Sequence, residues 1–170
     1  MQRLNTRQKL LAGFGTIAAF VLLVAILGLT ALSRTYGSFD GYVHGPAERM
    51  HIANKVVDAV NARAVAARNL VLTTDPARLA AEKEAVTKAH ADVQSHLQRL
   101  LEAAKQADPK AQALIAAVAE VESRYGPVAL DIVAKATGGQ KDAAIEKMNA
   151  ECQPLLAALM KAASQYLDYG

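Results

Sequence analysis

Residues 46–76, PAERMHIANKVVDAVNARAVAARNLVLTTDP, decide the fold. Apolar side chains recur there at helical spacing, with Ile52, Val56, Ala59, Ala66 and Leu70 along one seam and Val57, Val60, Ala64, Ala67 and Val71 beside it. The pattern predicts a helix with one broad buried face, and such a face needs other helices to cover it. Thr74-Asp75-Pro76 ends this helix and begins the next. Asp75 can cap the free amides of a new first turn, and Pro76 fits that turn because the N–H it lacks would have no partner there.

The same grammar repeats downstream. A second helix is expected over 76–107, with Leu79, Val86, Val93, Leu97 and Leu100 inward and Arg78, Glu82, Glu84, Lys88, Asp92 and Arg99 mostly solvated. Asp108-Pro109 repeats the cap. The third helix is expected over 109–137 on a seam of Leu114, Val118, Val121, Val128 and Ile132, with a bend near Tyr125 where Gly126-Pro127 weakens the ladder. Gly138-Gly139 ends it, and a fourth is expected over 140–167 with Ile145, Met148, Leu155, Leu159 and Ala162 inward and a kink at Pro154. No segment alternates as a half-buried strand would. Four helices of similar length joined by short turns predict an all-α, up-down-up-down four-helix bundle.

Upstream, Gly37, Gly41 and Gly45-Pro46 predict a kink or short break, and beyond it lies an uncharged stretch at 10–32, LLAGFGTIAAFVLLVAILGLTAL. At about 1.5 Å of rise per residue it spans the roughly 30 Å hydrocarbon core of a bilayer as one transmembrane helix. It is longer than the apolar region of a cleaved signal peptide, and no small-residue cleavage site follows. Arg3, Arg7 and Lys9 crowd the flank at 1–9, while after the span Arg34 stands against Asp40 and Glu48. The positive-inside rule therefore places the N-terminus in the cytoplasm and residues 33–170 in the periplasm, anchored in the inner membrane and in contact with its lipid. Tyr36, Phe39 and Tyr42 fall where aromatic rings favour the outer interface. The turns near 75 and 138 are expected far from the membrane, the turn near 108 close to it. A bundle that returns to the membrane implies a second span and a cytoplasmic output module after Gly170.

Charge and cysteine content narrow the function. The formal net charge is +3, and basic residues beyond the N-terminal flank are mixed with acids, so no nucleic-acid partner is expected. Cys152 is the one cysteine, which excludes an intrachain disulfide and leaves a buried apolar role or a bond between subunits. Glu48-x-x-His51 has the spacing of a di-iron motif but lacks the second copy and facing glutamates, so no metal is expected. Neither a haem-attachment run nor a phosphate loop occurs, and no cofactor and no enzyme activity are expected.

Laying the four seams side by side brings Arg63, His90, Tyr125 and Cys152 to one level, within about one helical turn. A charge enters a core only with partners, and these seams offer no acid at that level. Two readings stay open: an anionic ligand meets Arg63, or the four form a structural layer that fixes register, with Arg63 stacked on Tyr125. Arg68 lies five residues on, about 140° round the helix, so one subunit cannot easily aim both arginines at one ligand. Two copies paired through this first bundle helix would bring Arg63 of one and Arg68 of the other to one carboxylate. Asn69, Thr73 and Thr74 supply neutral donors just above.

The order of elements, together with Asn61-Ala62-Arg63, Ala67-Arg68-Asn69-Leu70 and Thr74-Asp75-Pro76, resembles the sensor region of bacterial methyl-accepting chemotaxis proteins. Tyr125-Gly126-Pro127-Val128 and the run from Met148 to Leu156 are similar to segments common in such receptors from beta-proteobacteria. The resemblance covers essentially the whole chain. It implies a homodimeric chemoreceptor sensor that binds a small organic acid or amino acid and signals across the membrane for chemotaxis. In the family's aspartate receptor, first-helix arginines from both subunits bind the ligand's carboxylates; Arg63 and Arg68 match two by spacing, and the third position falls at Leu72, which cannot. A sensor domain joined to a histidine kinase or nucleotide cyclase, and an anchored bundle that binds a protein partner without a small ligand, are the alternatives.

Overall fold

The computed structural model describes residues 6–170, with side chains described at 10, 13–32 and 45–170. The basic flank of Arg3, Arg7 and Lys9 and the aromatic band of Tyr36, Phe39 and Tyr42 lie outside the described side chains. The chain forms two compact units, Met1–Val43 and His44–Gly170. In the first, α1 runs Thr6–Tyr42 and contains Gly13–Leu32, with mean hydropathy 2.5 and no residue of its most apolar window buried, long and apolar enough to cross a membrane. A π-helical turn, Val43–Ala47, follows and holds Pro46.

The second unit is an all-α bundle, with no strand among the described residues. Its helices are α2 (Glu48–Leu72), α3 (Pro76–Ala104) and α4 (Pro109–Thr137). The fourth column is α5 (Lys141–Lys147), a π-helical segment (Met148–Cys152) and α6 (Gln153–Leu167). α3 packs on α2 and α4, and α6 on α4 and α2, closing a ring in chain order, while α2 and α4 also meet across the diagonal.

The turns follow from their residues. The Asp75 carboxylate accepts from the Ala77 amide at 3.0 Å, and Asp108 accepts from Lys110 and Ala111 at 3.0 Å each. Both satisfy amides that a helix start leaves free, with Pro76 and Pro109 in the first turn. At the far end of α4 the chain leaves through Gly139 at φ +78, a left-handed conformation in which a Cβ would be strained, and the Gln140 amide closes the end on the Lys135 carbonyl at 2.9 Å. Pro127 sits inside α4 without ending it. In the fourth column the ladder is interrupted just before Pro154: the π segment takes an extra residue into its turn, and Pro154 falls in the first turn of α6.

Two seams differ from expectation. On α4 the buried residues are Ala111, Ile115, Val118, Glu122, Tyr125, Gly126, Ala129, Ile132 and Val133, while Leu114, Val121 and Val128 are only partly buried. The expected and observed seams share Val118, Tyr125 and Ile132 and differ by one residue at the alternate positions. Steps of four and three suit either stripe of a broad apolar face. The structure buries the stripe with small residues at Ala111, Gly126 and Ala129, which lets helices approach closely. In the fourth column Ile145 is 38% exposed and the wholly buried Ala144 takes its place, so Ile145 is no core residue.

The α4 register carries a stability expectation. Ile115 is wholly buried, so Ile115→Ala should cost about 2–5 kcal/mol, whereas Leu114→Ala should cost well under half of that. Thermal or urea unfolding of the two variants checks this; the reverse order would restore the seam read from the sequence.

Candidate functional site

Arg63 on α2 is wholly buried at the middle of the bundle. Its Nη1 donates to Glu122 Oε1 at 2.7 Å and its Nη2 to Glu122 Oε2 at 2.6 Å, a fork-on-fork pair with Glu122 itself 2% exposed. Nη1 also meets His90 Nδ1 at 3.0 Å, and the guanidinium lies 4.5 Å over the Tyr125 ring. Gln94 Nε2 donates to Glu122 Oε1 at 3.2 Å. Cys152 Sγ, buried in the π segment, lies 3.8 Å from the Tyr125 hydroxyl. All four columns of the bundle thus contribute to one polar layer.

Arg63, His90, Tyr125 and Cys152, brought to one level by seam spacing, are together in the structure. The expectation that no acid shares the level is corrected by Glu122. That carboxylate sits four residues after Val118 and three before Tyr125, on the buried stripe of α4, one residue on from the expected seam position Val121. Its presence removes the argument that Arg63 needs a ligand anion. The signal available in the sequence was pairwise: a buried cation calls for a buried anion, and Glu122 is the acid that the 4-3 spacing of α4 carries to that height.

Protonation states in the layer follow from donor chemistry. Arginine can only donate, so His90 Nδ1 accepts and the ring is neutral with its proton on Nε2. Burial, and then the Arg63 charge, hold the His90 pKa below the usual 6.5, with Glu122 pulling the other way. Burial likewise pushes the Tyr125 phenol up, with Cys152 adding to the shift, and burial raises the Cys152 thiol, with its contact to the Tyr125 hydroxyl pulling the other way, so both are neutral at pH 7. Gly126 makes the packing possible: a Cβ there would come 3.0 Å from Glu122 Oε1 and 3.3 Å from His90 Cε1. The buried Arg63 Nε has no hydrogen-bond partner.

A second site lies at the α2–α3 turn, the end of the bundle opposite the α2 N-terminus. An open depression of about 600 Å³ is lined by Asn69, Leu72, Thr73, Thr74, Asp75, Arg78 and Glu82. It gathers the predicted Asn69, Thr73 and Thr74, but neither Arg63 nor Arg68. Asn69 Nδ2 donates to Glu82 Oε1 at 3.1 Å, and Lys141 Nζ meets the Leu72 carbonyl at 3.4 Å. Arg78, expected merely to be solvated, is the cation of this depression and has no ion pair among the described residues. Its place in the first turn of α3, three residues after the Asp75 cap, was the available signal. Arg68 is exposed on the outer face of α2.

Residues 3–170 match a family model described as a four helix bundle sensory module for signal transduction. No curated protein and no solved structure matches the chain.

The layer carries a stability expectation of its own. Glu122→Ala strands the Arg63 charge in the core and should cost about 3–5 kcal/mol, whereas Arg63→Met combined with Glu122→Leu should recover most of that loss. Melting of the single and double variants decides it: a Glu122→Ala protein as stable as the parent would mean that Arg63 does not depend on this carboxylate.

Proposed function

Because the chain belongs to the family of four-helix-bundle sensory modules for signal transduction, we propose that it is the periplasmic sensor of a chemoreceptor that binds a small carboxylate or amino acid. In this reading α1 anchors it in the inner membrane with the N-terminus in the cytoplasm, in contact with lipid. The observation that carries the ligand assignment is the depression at the α2–α3 turn. Arg78 offers a bidentate fork to a carboxylate, Thr73, Thr74 and Asn69 offer neutral hydrogen bonds, and Asp75 with Glu82 faces a cationic amine. An α-amino acid carries both charges.

The outer face of α2 supports a homodimer. His51, Asn54, Asp58, Asn61, Val65, Arg68 and Leu72 follow one another at steps of three and four residues and all are exposed, Val65 at 57% and Leu72 at 67%. Two large apolar side chains in a regular outer stripe match the seam by which a second copy of the helix would pack. Leu72 belongs to both the stripe and the depression, so the second copy would close the open side of the site and bring its Arg68 to the rim. Arg63, His90 and Tyr125 then act from within, holding α2, α3 and α4 in register beneath the ligand.

Signalling needs two packings for which the ligand has different affinities. The fourth column is where they would diverge, because its ladder is already reset between Met148 and Cys152 and α6 can shift along its axis there.

The test is the melting temperature of the full chain in detergent micelles against a panel of dicarboxylates, tricarboxylates, aromatic acids and amino acids. A member at about a hundredfold its dissociation constant should add about 2.7 kcal/mol of stability, and Arg78→Ala should abolish the shift while leaving the unliganded midpoint unchanged. No shift from any member in a folded, dimeric sample would overturn the ligand assignment in favour of a bundle that binds a protein partner.

A further inference from the structure

His90 makes a contact that only one of its charge states permits. Its Nδ1 lies 3.0 Å from Arg63 Nη1, and since the guanidinium has nothing but donors to offer, that nitrogen must be bare. A proton there would set donor against donor and cation against cation. The charged groups acting on the ring are Arg63 from α2 and Glu122 from α4, while Tyr125, under the Arg63 guanidinium, and Cys152, hydrogen-bonded to the Tyr125 hydroxyl, complete the layer. Tyrosine and cysteine are neutral, so the layer balances one cation against one carboxylate; a charged His90 leaves it one positive charge in excess. The ring is only partly buried and so open to protons from solution, and its Cε1 sits against α4 at Gly126, so close that an added Cβ there would come within 3.3 Å.

We propose that this layer is a pH-responsive element: protonation of His90 breaks its contact with Arg63, draws a Glu122 oxygen toward the imidazolium, and shifts α3 against α4 at Gly126. The proton is then an input to the module separate from any small ligand at the α2–α3 turn, about two helical turns away along α2. Since the folded protein holds the His90 pKa below its unfolded value, the stability it contributes is complete above about pH 6.5 and is lost as pH falls from there through the folded pKa.

The experiment is a titration of the full chain in lipid nanodiscs from about pH 7.5 to about pH 5, observing the His90 ring nitrogens and the Gly126 backbone amide by NMR. The expected result is a neutral ring protonated on Nε2 at the upper end, then protonation below about 6.5 with the Gly126 amide moving at the same midpoint. His90→Asn keeps an acceptor in place of Nδ1 and cannot titrate, so it should flatten the Gly126 response and remove that step from the melting temperature; His96→Asn should leave both. A His90 ring that stays neutral across the range, or a Gly126 amide that titrates equally in His90→Asn, overturns the proposal. The wild-type titration stands on its own should the variant fail to fold.

Discussion

A guanidinium wholly buried in the core of a helical bundle is the constraint on which the bundle depends. Arg63 cannot shed its charge, so the fold has to bring it an anion, and among the described residues that anion is Glu122. That requirement chooses between two stripes of α4 that are nearly equal in apolar content. It turns α4 so that Glu122 faces inward, demotes Leu114, Val121 and Val128 to partial burial, and puts a glycine at position 126 where any side chain would press on the carboxylate and the imidazole. The neutral tautomer of His90 and the seat of the Tyr125 ring under the guanidinium follow from the same demand. Replaced by leucines, such a layer would be no less stable in principle; what the pairing supplies is a single register for α2 against α4.

Much of this was legible in the sequence because its signals are local. Asp75-Pro76 and Asp108-Pro109 mark helix starts through the chemistry of one side chain and one missing amide, and Gly139 marks an exit through its positive φ. The level shared by Arg63, His90, Tyr125 and Cys152 could be read because height along a helix follows from residues counted from its turn, which the π segment holding Cys152 alters far less than it alters the facing of side chains. Glu122 was missed for the opposite reason: polarity sorting sends charges outward, and only the partner on another helix reverses that for one of them. Ile145 was assigned inward on hydrophobicity, but the short α5 ends in a π turn that changes the phase of the column, so spacing carried across it loses its meaning. Arg78 illustrates a further limit. A concave surface arises where a turn and two helices meet, and no period in one dimension announces it.

The two sites differ in how tightly they are bonded. The polar layer ties three helices together through charge-assisted bonds of 2.6–3.0 Å, whereas the depression beyond it is bordered by a turn and held by weaker contacts such as Asn69 to Glu82 at 3.1 Å. Under the proposed function, a ligand at the turn would order α2 against α3, and the bonded layer would carry that change to α4 and the interrupted fourth column. In the proposed function a small charged ligand would act on the α2–α3 end while the layer stays closed beneath it.

Amide hydrogen exchange along the full chain tests this most directly, run with and without whichever carboxylate or amino acid raises its melting temperature. The account predicts new protection concentrated over residues 69–82, with the amides around Arg63, His90 and Glu122 already slow and little changed. Protection confined to that buried layer, with the α2–α3 turn exchanging as before, would contradict it and return Arg63 to the role of ligand contact.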